Sequence, residues 1–244
     1  MGDEPVARSR AAFTREAPGP ADARSGWVET SLGPVRVEWR GDTLTRVDLA
    51  LEPGDAMAAG RPFAPRAIAD RLAAAVDGGD SEPGPVDLTL LTPFQQDVLR
   101  AVAAIPRGEV RPYGWVAAMA GRPRAARAVG RAVAANPVPL VIPCHRVTRS
   151  SGEIGAYSGG GPGIKARILR HEGVDIEALA QLVRRGARFV GDPTAGTFCW
   201  PTCHQLGLVP PTRRILLPNW TSALQAGLKP CARCRPLPPD RGAD

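Results

Sequence analysis

The sequence predicts an α+β protein: a small antiparallel sheet near the N-terminus, a helical middle section and a short C-terminal module organised by cysteines. Three observations carry this prediction. Partial two-residue apolar alternation marks the region 27–51, helical spacing of apolar residues recurs from residue 65 onward, and four of the five cysteines fall in two close pairs beyond residue 198. With 244 residues, 43% of them hydrophobic, the chain has material for one large or two modest domains with ordinary cores.

Composition narrows the function classes. No run approaches the ~18 consecutive apolar residues of a membrane span, and the start, MGDEPVARSRAAF, lacks the basic and apolar regions of a secretory signal. A cytoplasmic protein without a membrane partner is the expectation. The formal net charge is +7 and almost all of the 31 cationic side chains are arginine, whose planar fork matches phosphate oxygens. A nucleic-acid partner is therefore plausible, although an arginine-rich, alanine-rich composition alone explains the same numbers.

Residues 1–25 show no apolar period and read as a disordered tail. WVETSL, PVRVEWR and TLTRVDLAL are three short strands separated by Gly33-Pro34 and Gly41-Asp42 turns. A helix over 65–76 follows, with Ile68, Leu72 and Val76 on one face, then a Gly/Asp/Pro loop and a strand VDLTLL. Thr92-Pro93 opens the next helix, whose inward residues are Phe94, Val98, Leu99 and Val102. Two helical pieces at 113–120 and 124–135, joined by Gly121-Arg122-Pro123, form a helix-turn-helix arrangement. The second piece, RAARAVGRAVAAN, surrounds Arg127 and Arg131 with small residues, so its backbone can approach a surface closely. A Gly/Ser-rich loop at 148–163, a helix ending at Gly173 and a short helix at 176–185 lead into the last segment.

The stretch VIPCHRV contains Cys144 beside His145 and Arg146. A thiol attacks as thiolate, and its pKa must be lowered by a base, a positive charge or a helix end, which His145 and Arg146 could supply. Adjacent residues usually point apart, so contact between Cys144 and His145 requires a sharp turn or a bridging water. Glu172 is the carboxylate available to orient the histidine. Free cysteine is also among the most buried residue types, so a structural Cys144 stands as the alternative on these residues alone.

From Phe94 to Gly173 the sequence resembles the O6-alkylguanine-DNA alkyltransferase (methylated-DNA-protein-cysteine methyltransferase) family. The resemblance runs in order through PFQ (93–95), IPRGEV (105–110), AARAVGRA (125–132), NPVPLVIPCHRV (136–147), GAYSGG (155–160) and KARILRHEG (165–173), and weakly through SLGPVRV and TRVDLA upstream. It implies a ribonuclease H-like N-terminal subdomain (26–91) and a winged-helix-like catalytic, DNA-binding domain (92–175). It further implies that Cys144 accepts the alkyl group from O6 of guanine, that His145 acts through a water as base, that Glu172 orients His145, and that Asn136 holds the turn presenting the thiol. Arg127 would fill the gap left in the base stack. Ala126 and Gly130 would let the helix enter the minor groove, and Tyr113 would favour rotation of the nucleotide and donate to the base. Tyr157, Ser158 and Gly159 would close the pocket, and the backbone of Val147 would accept the base amino group. The substrate would be double-stranded DNA with an alkylated base, the protein a monomer acting once without cofactor for the transfer, its location cytoplasmic and nucleoid-associated on DNA. Leu99 stands where the family often has Trp, and the N-terminal region holds no Cys or His for the zinc site of some relatives.

Cys199-x3-Cys203 and Cys231-x2-Cys234 have four-thiolate spacing suited to tetrahedral Zn2+. The segment 186–236 is similar to the zinc domain of the Ada adaptive-response proteins, with 237–244 as a tail. The similarity implies a methyl acceptor at Cys199, but the stretch between Gly173 and Cys199 is short and Trp200-Pro201-Thr202 replaces the usual turn, so a structural or DNA-contacting module is an equal expectation. Arg213, Arg214, Lys229, Arg233 and Arg235 are candidate phosphate contacts, and His204 is a possible substitute ligand that reads better as solvated. Two other function classes stand as alternatives: a non-catalytic alkylated-DNA-binding protein, which would lack the cysteine at 144, and a methylation-sensing regulator, which would need a separate sequence-reading domain.

Overall fold

A computed structural model of the chain describes residues 13–14, 23–49, 62–78 and 84–238. Strands β2 (Arg24–Thr30), β3 (Gly33–Arg40) and β4 (Thr43–Leu49) form the expected antiparallel meander. Val35, Val37 and Trp39 turn inward, while Arg36, Glu38 and Asp48 pair on the outer face. Helix α1 (Arg66–Asp77) lays Ile68, Leu72 and Val76 on the inner face and ends at Gly78, whose φ of 80° makes a left-handed cap.

Three expectations are corrected at this sheet. Strand β5 (Val86–Asp87) runs parallel to β4, and β1 (Phe13–Thr14) runs parallel to β5, so the five-stranded sheet, ordered β1-β5-β4-β3-β2, is mixed instead of antiparallel. The strand expected over 86–91 stops after two residues because Asp87 Oδ1 accepts from both the backbone and the hydroxyl of Thr89, turning the chain and leaving Leu90 95% exposed. The tail assigned to 1–25 lies largely outside the described residues, but Phe13–Thr14 and Arg24–Ser25 belong to strands, since backbone pairing at a sheet edge needs no apolar period.

The helical section follows the sequence closely. Thr92 and Gln95 close a reciprocal capping box on α2 (Pro93–Ala103). After β6 (Arg111–Pro112) come α3 (Tyr113–Met119) and α4 (Ala126–Ala134), with Gly121 at φ 72° in the turn between them. Strand β7 (Val147–Thr148) pairs in parallel with β6. Helix α5 (Gly161–His171) ends before Gly173, and α6 (Ile176–Arg184) starts on an Asp175 cap. One apolar cluster runs from Val28 through Leu99, wholly buried, to Ile168, so the sheet and the helices share a core. No helix among the described residues is long and apolar enough to cross a membrane.

The C-terminal module carries β8 (Phe189–Asp192), β9 (Thr197–Cys199), β10 (Ile215–Leu217) and β11 (Lys229–Pro230) in the order β10-β8-β9-β11, with short helices α7 (His204–Gly207) and α8 (Trp220–Gln225). The expectation that cysteines alone organise this segment is corrected. Phe189, Phe198, Leu217, Ala223 and Leu228 form a small core of their own, Phe198 meeting Phe189 and Trp220 edge-on at 5.2 and 5.1 Å.

Candidate active site and metal centre

Cys144 sits at the start of a single 3-10 turn, Cys144–Arg146, between Pro143 and β7. Asn136 braces the approach: its Nδ2 donates to the Ile142 carbonyl at 2.9 Å and its Oδ1 accepts from Val138 N at 3.1 Å. Within this braced loop Leu140 takes a left-handed φ of 71°, a conformation that costs a residue with Cβ roughly 1–2 kcal/mol and persists only where surroundings fix it. Cys144 Sγ lies 3.9 Å from the Tyr157 hydroxyl, and the His145 ring turns toward α5.

His145 is 1% exposed, and its Nε2 lies 2.9 Å from Glu172 Oε1. Burial pushes the imidazole below its ordinary pKa against the opposing pull of Glu172, so the ring is neutral, its Nε2–H donating to the carboxylate. Its Nδ1 is buried and has no hydrogen-bond partner, which leaves one basic lone pair free. Glu172 itself would be raised by burial, but the hydrogen bonds from His145 and Arg146 hold it down at about 2.

Arg146 was a candidate cation for the thiol; the structure sends it elsewhere. Its Nε and Nη2 clamp Glu172 at 2.9 and 2.7 Å, and its Nη1 donates to the Ile105 carbonyl. The cation beside Cys144 is Lys165, which sequence reasoning missed. Only 1% exposed, it donates to the carbonyls of Val147 and Ala156. Burial lowers it to about 8 while the charge on Cys144 opposes that shift. A signal existed: lysine is rare in this arginine-rich chain, and a lysine retained in it marks a place where a compact ammonium is wanted. Burial raises the Cys144 thiol, partly offset by Asn136, Tyr157 and Lys165, so the resting group is a thiol.

Tyr113 begins α3 and is half-buried; desolvation and then the neighbouring Cys144 charge push its hydroxyl up. Tyr157 is buried and pushed up by the same two causes. Gly159 is required by packing, since a Cβ there would fall 2.8 Å from the Tyr157 ring. Ser158, on the same loop, is exposed. The Val147 carbonyl already accepts from Lys165. On α4, Arg127 is exposed without a hydrogen-bond or ion-pair partner among the described residues, while Ala126 and Gly130 are half-buried, with open space where a Gly130 side chain would stand.

The Sγ atoms of Cys199, Cys203, Cys231 and Cys234 lie within 4.8 Å of one another, all buried and none in a disulfide. The separation suits one tetrahedral cation with sulfur ligands at ~2.3 Å. Shared hydrogen bonds push Cys231 down and Cys234 up, as expected of crowded thiols that cannot all ionise without a positive charge among them. His204 lies outside the cluster, half exposed and 3.5 Å from Glu109. Of the basic residues named above, Arg214 is engaged internally by the Leu206 and Val209 carbonyls, whereas Lys229, Arg233 and Arg235 are exposed. A cavity of about 250 Å³ borders Cys199, lined also by Asp192, Thr197, Gln205 and Arg213.

Comparison with known proteins places these residues in context. Residues 93–174 match the family described as 6-O-methylguanine DNA methyltransferase, DNA binding domain. The mouse methylated-DNA–protein-cysteine methyltransferase is 51% identical over 87 residues, which are 33% of this chain and 41% of that protein. The protein of the same name from Mycobacterium bovis is 38% identical over 137 residues, 54% of this chain and 82% of that protein. The crystal structure of Mycobacterium tuberculosis OGT in complex with DNA is similar at 31% identity and a TM-score of 0.50, covering 64% of this chain and 97% of that one. The match thus spans about two fifths of the mouse relative and most of the mycobacterial ones.

Proposed function

The chain belongs to the methylated-DNA–protein-cysteine methyltransferase family, and from that premise we propose that it repairs DNA by moving a methyl or other alkyl group from O6 of guanine, or from O4 of thymine, irreversibly onto Cys144. The observation that carries the reading is the buried Cys144 thiol, 3.9 Å from the Tyr157 hydroxyl, followed directly in the chain by a buried neutral imidazole, one nitrogen of which is held by Glu172 while the other, Nδ1, has no hydrogen-bond partner. On this reading a water relays the thiol proton to His145 Nδ1, and Glu172 stabilises the resulting imidazolium. The S–C bond forms as the O6–C bond breaks, the guanine leaving group takes a proton from Tyr113, and the proton held by His145 passes through solvent to restore the Tyr113 hydroxyl, leaving a neutral imidazole, a thioether and guanine. Lys165 offsets the transient thiolate. The thioether cannot be hydrolysed under mild conditions, so each molecule acts once and no cofactor is consumed.

O6 is inaccessible inside a duplex, so the base must be extruded at a cost of a few kcal/mol, least for a poorly paired lesion. Exposed Arg127 on the small-residue face of α4 suits entry into the minor groove and occupation of the gap. Tyr157, Ser158 and Gly159 would form the pocket wall and the Val147 backbone a base contact. The unit proposed for this work is the winged-helix-like region 92–175, supported by a ribonuclease H-like region 26–91, acting as a monomer on double-stranded DNA.

The module 186–236 is proposed to hold Zn2+ through its four cysteines and to assist DNA binding through Lys229, Arg233 and Arg235. The cavity beside Cys199, with Arg213 at its edge, favours a second reading in which Cys199 takes a methyl group from a backbone phosphotriester, leaving a phosphodiester anion. The test uses duplex DNA carrying one O6-methylguanine and, separately, one methylphosphotriester. The first substrate should add one methyl to the Cys144 peptide, and a Cys144→Ala variant that still cleared the lesion would sink the proposal. Unchanged uptake from the second substrate in Cys199→Ser would remove Cys199 as acceptor.

A further inference from the structure

Residues 109–115 are held from two sides. On one side, β6 pairs with β7, Arg111 opposite Val147 and Pro112 opposite Thr148, directly after the Cys144–Arg146 turn. On the other side stand both halves of the four-cysteine cluster. From the first half, Thr202 Oγ1 accepts from Val110 N at 2.8 Å, and the N–H of His204, next to Cys203, donates to Glu109 Oε1 at 3.0 Å. From the second half, the Arg235 carbonyl, next to Cys234, accepts from Trp115 Nε1 at 3.1 Å. Arg235 has φ 45° and its own N–H bonds back to the Cys231 carbonyl, so the turn that carries two cysteines also aims that carbonyl at α3.

Between the two anchors runs a chain of buried groups. Glu109, 0% exposed, pairs with Arg111, 2% exposed, whose guanidinium lies 5.6 Å from the centre of the Trp115 ring. Well-packed apolar residues would often stabilise such an interior as well or better, so a buried ion pair is weak as a stability device and strong as a device that fixes register. Here the other oxygen of the same carboxylate is committed to the module, and Tyr113 lies in the middle of the frame, between Pro112 and Trp115.

We propose that Glu109 is a positioning residue of the alkyl-transfer site, coupling the four-cysteine module through Arg111 and Trp115 to Tyr113 and the start of the helix pair. The inference rests on the reaction proposed at Cys144. It makes metal and DNA mutually reinforcing ligands: a filled cysteine cluster holds Tyr113 in place for DNA, and by linkage DNA tightens the metal by the same factor.

The test uses the full chain loaded with Co2+, whose thiolate absorption reports the cluster directly, in wild type and Glu109→Gln. Stripping the metal should slow methyl transfer from duplex DNA in wild type about fivefold, the scale of one lost hydrogen bond. Glu109→Gln with its cobalt absorption intact should be slowed comparably, and stripping it should add less than about twofold, because the link is already cut. Effects that multiply independently, or a loaded Glu109→Gln that reacts at the wild-type rate, would overturn the proposal. Trp115→Phe keeps a ring beneath Arg111 and deletes only the bond to Arg235; it should behave the same way and decides the matter if Glu109→Gln does not load. Cobalt affinity measured with and without undamaged duplex should tighten on DNA in wild type and not in either variant. That linkage still tests the coupling if wild-type Cys144 takes up no methyl, an outcome that would instead end the reading of Cys144.

Discussion

The sharpest test of the proposed proton path is Glu172→Gln. The carboxylate accepts from His145 Nε2 at 2.9 Å and from Arg146 Nε and Nη2 at 2.9 and 2.7 Å, with side-chain exposures of 1% for His145, 10% for Arg146 and 3% for Glu172. The amide keeps the shape and removes the charge, leaving the Arg146 guanidinium buried without a counter-ion. Breaking a buried pair by removing one partner costs about 3–5 kcal/mol. A carboxyl group ordinarily titrating at 4.5 and held at about 2 points to a similar ~3 kcal/mol preference for the charged form. In a chain of this size ~1 kcal/mol moves the melting temperature by about 2–4 °C, so Glu172→Gln should melt roughly 6–20 °C lower. Function should fall independently: without the carboxylate the imidazole loses its orienting acceptor, and a positioned base is worth ~10²–10⁴-fold in rate. Single-turnover transfer from O6-methylguanine duplex, followed by mass at a temperature where the variant is folded, should drop at least about a hundredfold. A variant that melts within a degree or two of wild type, or transfers at close to its rate, would refute the assignment of Glu172 as the keystone of this cluster.

Four further outcomes are expected. Because burial raises the Cys144 thiol, iodoacetamide should label it slowly at neutral pH and faster only as pH climbs past the ordinary thiol value of 9.0; rapid neutral labelling would contradict the buried thiol. His145 and Glu172 both titrate lower in the folded chain than their ordinary 6.5 and 4.5, so their stabilisation is complete above those values and is lost as pH falls toward about 2; a denaturation midpoint that rises on acidification would show the sign to be wrong. Arg127→Ala should slow transfer from duplex DNA about tenfold or more while leaving transfer from the free alkylated base unchanged, since only the duplex must be held open. The chain should carry one zinc, lost in Cys234→Ser together with several degrees of thermal stability; full metal content in that variant would argue against a four-thiolate site.

The parts of this protein legible in the sequence are those where local chemistry and global position agree. The Thr92-Pro93 cap, the α1 stripe of Ile68, Leu72 and Val76 and the Gly121 turn were readable because each depends on a residue type at a short, fixed spacing, whereas the pairing of His145 with Glu172, 27 residues apart, was legible through the family resemblance. What was missed depends on contacts far apart in the chain. Arg146 turns from the thiol to Glu172 because the end of α5 brings that carboxylate within 2.9 Å, and Lys165 reaches the site because α5 sets it against the Val147 carbonyl of β7. The mixed sheet escaped for a similar reason: parallel pairing of β5 with β4 follows a crossover through α1, which alternation within a strand does not encode. The aromatic core of the C-terminal module was hidden by its cysteines, which drew attention from Phe189, Phe198 and Trp220, spaced too widely to show a period.

The five thiols of the chain are managed by two opposite means, and the contrast bears on the proposed chemistry. Cys144 is kept as a thiol by burial, with Lys165, Tyr113 and Tyr157 interacting with it and a neutral histidine next in the chain, so its nucleophilicity is withheld until a proton path and an electrophile are present together. The other four are crowded within 4.8 Å, where only a cation can let them ionise together, and a filled site ties up their lone pairs. If each molecule acts once, as proposed, both devices serve the same requirement. A freely ionised thiol at position 144 would be consumed by any soft electrophile before it met DNA, and four unmetallated thiols in the same chain would compete for the same alkyl groups. The raised pKa of Cys144 is therefore consistent with its proposed role: the thiol is protected at rest, and the unpartnered His145 Nδ1 is the group that can remove the protection when a flipped base has closed the pocket.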